Sequence, residues 1–195
     1  MGWWDGVPFR SHHVEMIFDD LVLPYYGWLF PESPGRVNIG ICYEDGLLKR
    51  NARQLFQNFL NKHYRERLSA ARQIGPWRGH PISFAWDFGR LTSAGRIVVG
   101  EAGRITHPAT AEGIYQGLRS GMLAAEALSK ILKRGAKPEQ ALREYEYACR
   151  KAFGVSFRSA SLWRGLVRNG GLDLVVGAMN YPTSRRLLAR CMAQM

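Results

Sequence analysis

Gly95-Arg96-Ile97-Val98-Val99-Gly100-Glu101-Ala102-Gly103-Arg104-Ile105-Thr106-His107-Pro108-Ala109-Thr110-Ala111-Glu112-Gly113-Ile114-Tyr115 decides the fold. Residues 95–100 are a short apolar run between glycines, the pattern of a short buried strand. Glu101–Pro108 reads as a loop. Beyond it a long helix is predicted from about Thr110 to Lys133, with Thr110 as its N-cap and Glu112 and Gly113 in its first turn. A strand, a loop and a long helix in succession make one α/β unit. The strand's end carries a carboxylate, Glu101, where α/β folds bind ligands. The helix start offers free N–H groups and about half a positive charge to an anion or an electron-rich ligand atom.

Within that helix Gly113, Gly117 and Gly121 recur every fourth residue and Ala125 continues the series. Four-residue spacing drifts only about 40° per step, so these small residues share one helix face. Each interior glycine costs roughly 1 kcal/mol against alanine. Something packed close to the backbone is therefore expected, either a neighbouring element or a ligand.

Upstream of residue 94 the periods are those of strands and one helix. His13–Phe18 is compatible with a strand, and Tyr26–Phe30 is an aromatic strand that stops at Pro31. Arg36–Ile41 alternates with period two, and Pro34-Gly35 between the two marks a hairpin. Tyr26, Trp28 and Phe30 point to one face of their strand. They read either as core or as an aromatic wall for a flat or long apolar substrate. Leu55, Phe56, Phe59 and Leu60 give an amphipathic helix over about Arg50–His63. Ile74–Asp87, with Pro76, Gly79 and Pro81, reads as irregular or edge strand. Downstream, helical segments are predicted at about Pro138–Phe153, Phe157–Arg168 and Pro182–Ala193. The class is α+β: antiparallel strands first, the strand–loop–helix unit next, helices last.

Composition narrows the partners. The 195 residues carry 27 Lys+Arg against 16 Asp+Glu, a formal net charge of +11. The basic residues are scattered and form no stripe, and the aromatics sit in apolar strand context, which argues against nucleic acid. A solvated face, an anionic membrane surface or a phosphate-bearing ligand remains, with Arg185-Arg186 meeting either lipid headgroups or only water. Three cysteines without a Cys-x-x-Cys give neither a disulfide framework nor a zinc knuckle. His12-His13 lacks metal-ligand partners, so no metal site is expected, and no catalytic constellation stands out. The N-terminus does not read as a signal peptide, and no apolar run of about 18 residues spans a membrane. A cytoplasmic protein is expected, with peripheral membrane attachment left open.

Val99–Tyr115, continued by Leu118-Arg119-Ser120-Gly121-Met122-Leu123-Ala124-Ala125-Glu126, resembles the second flavin-binding motif of FAD-dependent oxidoreductases. The nearest branch is the geranylgeranyl reductase family, within the group built like para-hydroxybenzoate hydroxylase. Its pattern is Gly-Asp-Ala-Ala-Gly, a loop, Pro-x-x-Gly-Glu-Gly-Ile, then a Ser-Gly-x-x-Ala-Ala helix. Leu23-Pro24-Tyr25-Tyr26-Gly27-Trp28-Leu29-Phe30-Pro31, with Val37–Ile41 after it, resembles the same family's Tyr-x-Trp-x-Phe-Pro signature. Together the two cover roughly residues 9–130, in the family's order. Two departures stand out. The family's Asp is Glu101, whose extra methylene carries the carboxylate about 1.5 Å further. The first Gly of Gly-Glu-Gly is Ala111.

The resemblance implies part of an α/β FAD/NAD(P)-binding fold. It implies FAD contacts at Gly100, Glu101, Pro108, Thr110, Ala111, Glu112, Gly113 and Ile114, with the helix start beside the pyrimidine side of the flavin. It implies an apolar, isoprenoid or lipid substrate along Tyr26, Trp28 and Phe30, and NAD(P)H or another reductant. Residues 1–93 then correspond to part of a substrate domain, 94–134 to the second half of the FAD domain and 135–195 to a helical region. The chain has no Gly-x-Gly, hence no dinucleotide fingerprint. The expectation is the C-terminal portion of such an enzyme, with a complementary N-terminal half supplying the rest of the FAD site. The alternative is a non-catalytic basic module on anionic membranes.

Overall fold

The computed structural model describes residues 1–10, 12–44, 51–84 and 89–178. The expected helix at Pro182–Ala193, Arg185-Arg186, Arg50 and Cys191 lie outside them. The chain forms two compact units, Met1–His80 and Pro81–Met195. The fold is α+β, as the periods indicated.

The first unit is a five-stranded antiparallel sheet covered on one face by a helix. Its strands are β1 (Gly2–Asp5), β2 (Glu15–Ile17), β3 (Gly27–Ser33), β4 (Arg36–Ile41) and β5 (Arg72–Ile74), in the order β2-β3-β4-β1-β5. The β3–β4 hairpin turns at Pro34-Gly35, with Ser33 opposite Arg36. Pro31 does not end β3. The strand runs on to Ser33, and a register shift between Pro31 and Ser33 absorbs the irregularity. Helix α1 (Ala52–His63) is N-capped by Asn51, whose side chain accepts from Gln54 N–H, and a short α2 (Arg65–Leu68) follows.

Alternation gives the sheet two unlike faces. Trp4, Leu29, Val37 and Ile39 are buried against Phe56, Phe59 and Leu60 of α1. Glycine at 27 leaves room for the Phe59 ring, which a Cβ there would overlap at 2.0 Å. The other face carries Trp28, Phe30, Asn38 and Gly40.

In the second unit, β6 (Thr92–Ser93) pairs with β7 (Arg96–Ile97), followed by a 3-10 turn at Gly100–Gly103. Helix α3 (Ile114–Arg134) ends on Gly135 in the left-handed region, and Pro138 opens α4 (Pro138–Leu166). Leu91, Ile105, Leu123, Ala124, Ala127, Tyr145, Cys149, Phe153 and Phe157 form its core.

Three expectations are corrected here. The strand at 95–100 is only Arg96–Ile97 and is not buried: Val99 is exposed, because β7 has a single neighbour strand among the described residues. The long helix starts at Ile114, with Gly113 as N-cap, not at Thr110. The helices expected at 138–153 and 157–168 are one. Tyr145, Cys149, Phe153 and Phe157 continue a four-residue stripe through Gly154, so packing outweighs that glycine's cost of about 1 kcal/mol. A π-type turn at Val167–Gly171, with Gly170 at φ +81, separates α4 from α5 (Leu172–Ala178).

Candidate flavin half-site and aromatic wall

Gly100 is held from two sides. Its N–H donates to Ser120 Oγ at 2.9 Å, and Ser120 in turn donates to the Gln116 carbonyl at 2.7 Å. Its backbone has φ +55, and a Cβ placed there would lie 3.2 Å from the Gly117 Cα. The turn after β7 thus rests directly on the backbone of α3. Glu101 is exposed, four residues past the strand's end, and its Oε1 accepts from Ser83 N–H at 3.3 Å.

Residues 107–113 form a closed loop before α3. His107 N–H donates to the Glu112 carbonyl at 2.8 Å and Ala111 N–H to the His107 carbonyl at 2.9 Å. Thr110 caps no helix. Its hydroxyl instead accepts from Glu112 N–H at 3.3 Å. Ala111 sits at φ +55, the left-handed region that favours glycine. Glu112 and Gly113 precede the first turn. The Glu112 carboxylate reaches forward to accept from Tyr115 N–H at 2.8 Å, complementing the positive helix end. The N–H groups of Gly113 and Ile114 meet no acceptor among the described residues.

The His107 ring is buried beneath this loop, edge-on to Phe157. Its Nδ1 accepts from Thr110 N–H at 3.3 Å and lies 3.0 Å from Thr110 Oγ1. The other ring nitrogen, Nε2, together with Thr106 Oγ1 and Gln116 Oε1, is buried without a hydrogen-bond partner. Burial lowers the His107 pKa below its ordinary value, partly offset by the charge of Glu112.

The glycine stripe of α3 behaves otherwise than its spacing suggested. The packed face is Gln116, Ser120, Leu123, Ala124 and Ala127. A Cβ on Gly117 or Gly121 would meet nothing within 4 Å. Ile114, Leu118, Met122 and Leu132, on the stripe's side of the helix, are exposed.

In the first unit, Tyr26, Trp28 and Phe30 lie on the sheet face away from the core. They form a continuous ladder, Tyr26–Trp28 at 6.2 Å between ring centroids and Trp28–Phe30 stacked at 5.8 Å, extended by Phe18 at 6.0 Å from Tyr26. The Trp28 ring lies flat over Gly40, where a Cβ would come within 2.2 Å, and its indole N–H donates to Asn38 Oδ1 at 2.7 Å. Among the described residues no cluster of His, Cys, Asp and Glu could hold a metal ion, and no helix is long and apolar enough to cross a membrane.

Sequence reasoning missed the side chains that hold this site in place. Glu146 Oε1, on α4, accepts from Leu91 N–H, Thr92 N–H and Thr92 Oγ1 at 2.8–2.9 Å, and Tyr145 donates to the Val98 carbonyl at 2.6 Å. In sequence, Glu146 has Arg143 and Arg150 at helix-pair spacing and looks like one more surface ion.

The residues of the half-site fit a flavin edge. The donors of Gly113 and Ile114 are available to ring acceptors, and the glycine contact of Gly100 with Gly117 keeps side chains off the backbone. The fold is that of geranylgeranyl reductase-like proteins. A geranylgeranyl bacteriochlorophyll reductase-like protein from Thermoplasma acidophilum superposes with a TM-score of 0.73 at 19% identity, over 91% of this chain and 45% of that one. The sequence relatives bear out the resemblance to the geranylgeranyl reductase family. A digeranylgeranylglycerophospholipid reductase of Methanospirillum hungatei is 26% identical over 176 residues, 90% of this chain and 41% of the relative. One from Methanocaldococcus jannaschii is 32% identical over 68% of this chain and 34% of the relative. A menaquinone reductase of Mycobacterium tuberculosis is 30% identical over 62% and 30%. No family model matches the chain. The chain spans less than half the length of each of these relatives.

Proposed function

We propose that the chain is the C-terminal part of an FAD-dependent oxidoreductase of the geranylgeranyl reductase type. It acts on an apolar substrate, isoprenoid or lipid, by hydride transfer or monooxygenation. The observation that carries this is the contact of Gly100 with Gly117 beside the available N–H groups of Gly113 and Ile114. The bound flavin supplies the redox chemistry, with NAD(P)H or another reductant as the electron source. The chain's own part is to hold and tune. Gly100, Glu101, Pro108, Thr110, Ala111, Glu112, Gly113 and Ile114 form the wall, and the start of α3 favours electron-rich ring atoms. The Tyr26–Trp28–Phe30 ladder holds the apolar substrate.

A complementary N-terminal FAD-binding half completes the site. The apolar face of α3 (Ile114, Leu118, Met122, Leu132) supports this reading, as does the share of the relatives the chain spans. The test is reconstitution. The chain alone binds FAD weakly or not at all. Co-expressed with the N-terminal half of the Methanospirillum hungatei relative, it co-purifies as a yellow complex. A colourless complex overturns the flavin reading.

A second reading has its own observation. Tyr147, Val155 and Leu162 are exposed along α4, among Arg143, Lys151 and Arg158. Such a face suits an anionic membrane surface, where the protein would be peripheral. Salt-sensitive co-sedimentation with anionic vesicles, with no effect of FAD, would favour this reading over the enzyme.

A further inference from the structure

On the core side of the first unit's sheet, α1, α2 and β5 leave a cleft of about 230 Å³. Trp4, Leu60, Leu68 and Trp77 give it apolar walls, and Arg65, Gln57, Asn61, Ser69 and Gln73 give it polar ones. Trp4 alternates with Trp3 along β1, so this cleft opens on the sheet face opposite the Trp28 ladder. It is a different place from the proposed substrate wall.

Its chemistry is one-sided. Arg65 is the single charged residue of the lining, and no Asp or Glu is part of it. Among the described residues Arg65 has no ion-pair or hydrogen-bond partner, whereas Arg36, Arg67 and Arg72 of the same unit are each paired with a carboxylate. The Trp77 indole N–H is shielded from solvent and also lacks an acceptor. The Trp77 ring itself is fixed, edge-on to Phe56 at 4.9 Å and with the Arg53 guanidinium 5.8 Å from its centroid. The cleft therefore combines a rigid aromatic wall with an unpaired guanidinium fork, while Gln57 Nε2, Ser69 Oγ and Gln73 Nε2 already donate to Asn61 Oδ1 and to the Glu66 and Gly75 carbonyls.

We propose that this cleft binds a small carboxylate with an apolar, flat body, its carboxylate on Arg65 and its body between Trp4, Leu60 and Trp77. A guanidinium presents two parallel N–H donors that match a carboxylate's two oxygens. The cleft is smaller than the roughly 300–1,000 Å³ of drug-sized pockets, which limits the ligand to about one ring and its substituent.

The probe is benzoate, titrated onto the full chain and followed through the indole N–H resonances in ¹⁵N–¹H spectra. Trp4→Phe and Trp77→Phe variants assign the two signals. The expected result is saturable movement of the Trp4 and Trp77 signals at millimolar benzoate, with the Trp28 signal unmoved. Arg65→Gln weakens binding about five- to tenfold, as loss of one partly exposed charge-assisted contact does, and Arg65→Lys falls between. Folding of each variant is checked by the unchanged dispersion of the remaining signals. Three results would overturn the proposal: no saturable shift, equal affinity in Arg65→Gln, or inorganic phosphate moving the same signals as tightly as benzoate. The last would leave no role for the apolar wall.

Discussion

Ser120, in the second turn of α3, accepts the N–H of Gly100 at 2.9 Å across 20 residues of chain. That bond fixes the turn after β7 onto the helix, so close to Gly117 that a Cβ on Gly100 would lie 3.2 Å from its Cα. Gly100→Ala adds a Cβ both to a left-handed residue and to a crowded contact. The expected cost is about 1–3 kcal/mol. Ser120→Ala leaves a buried N–H unsatisfied, at about 1–2 kcal/mol. Urea unfolding measures both. Because the two act on one contact, the double variant should lose less than the sum of the singles.

Ala111 occupies the left-handed region that the family pattern reserves for glycine. Ala111→Gly should stabilise the chain by about 1 kcal/mol, since it relieves the Cβ clash at φ +55. The sign is unusual for a glycine substitution. A fall in the thermal midpoint would mean that the Ala111 methyl is a needed contact in the loop.

The parts of this chain legible in sequence were those governed by local pattern. Val37, Ile39 and Ile41 announced their strand by period two, and Pro34-Gly35 its turn. The family motifs were legible for the same reason: each is a contiguous run. What was not legible depends on contacts distant in sequence. Pro108 and Thr110 look like a helix start, but the His107 and Glu112 hydrogen bonds close the intervening residues into a loop and delay α3 to Ile114. Gly154 looks like a break, but it is carried through by a stripe of buried Cys149, Phe153 and Phe157. The Gly113–Gly117–Gly121 stripe predicted a close neighbour; among the described residues Thr106 lies against Gly113 and the turn at Gly100 against Gly117, and nothing lies against Gly121.

Glu146 holds the β6 strand by one oxygen that accepts three hydrogen bonds. Glu146→Ala leaves the Leu91 and Thr92 amides without their acceptor and should cost about 2–4 kcal/mol. Glu146→Gln retains an acceptor oxygen and should recover much of that loss. Amide exchange separates the two: Leu91 and Thr92 lose protection in the alanine variant before the α4 core does. Uniform loss across the unit would show Glu146 acting on the whole core, not on the hairpin.

Gly40 is the floor under Trp28. A Cβ at position 40 would come within 2.2 Å of the indole, so Gly40→Ala must lift the ring and break its bond to Asn38. Trp28 fluorescence should shift to the red, and the stacked contact with Phe30 should be lost. If the ladder holds the substrate, Gly40→Ala in the reconstituted enzyme raises KM for an apolar substrate more than it lowers kcat. Asn38→Ala removes the same hydrogen bond without the clash and should act in the same direction, more weakly.

His107 makes the loop before α3 sensitive to acid. Burial depresses its folded pKa below the unfolded value of about 6.5. A group depressed in this way contributes stability that is complete above the unfolded value and is lost as pH falls through the folded one. The cause is concrete. Protonation removes the acceptor of Thr110 N–H and puts a charge on a buried ring, where Glu112, the carboxylate that acts on it, is committed to Tyr115. Between pH 7 and pH 5 the chain should lose stability, and amides 110–113 should exchange faster than those of the α3 interior. His107→Asn keeps a side-chain acceptor near Thr110 without a titrating ring, so its stability should be flat over the same range. An equal slope in the variant would place the acid sensitivity elsewhere.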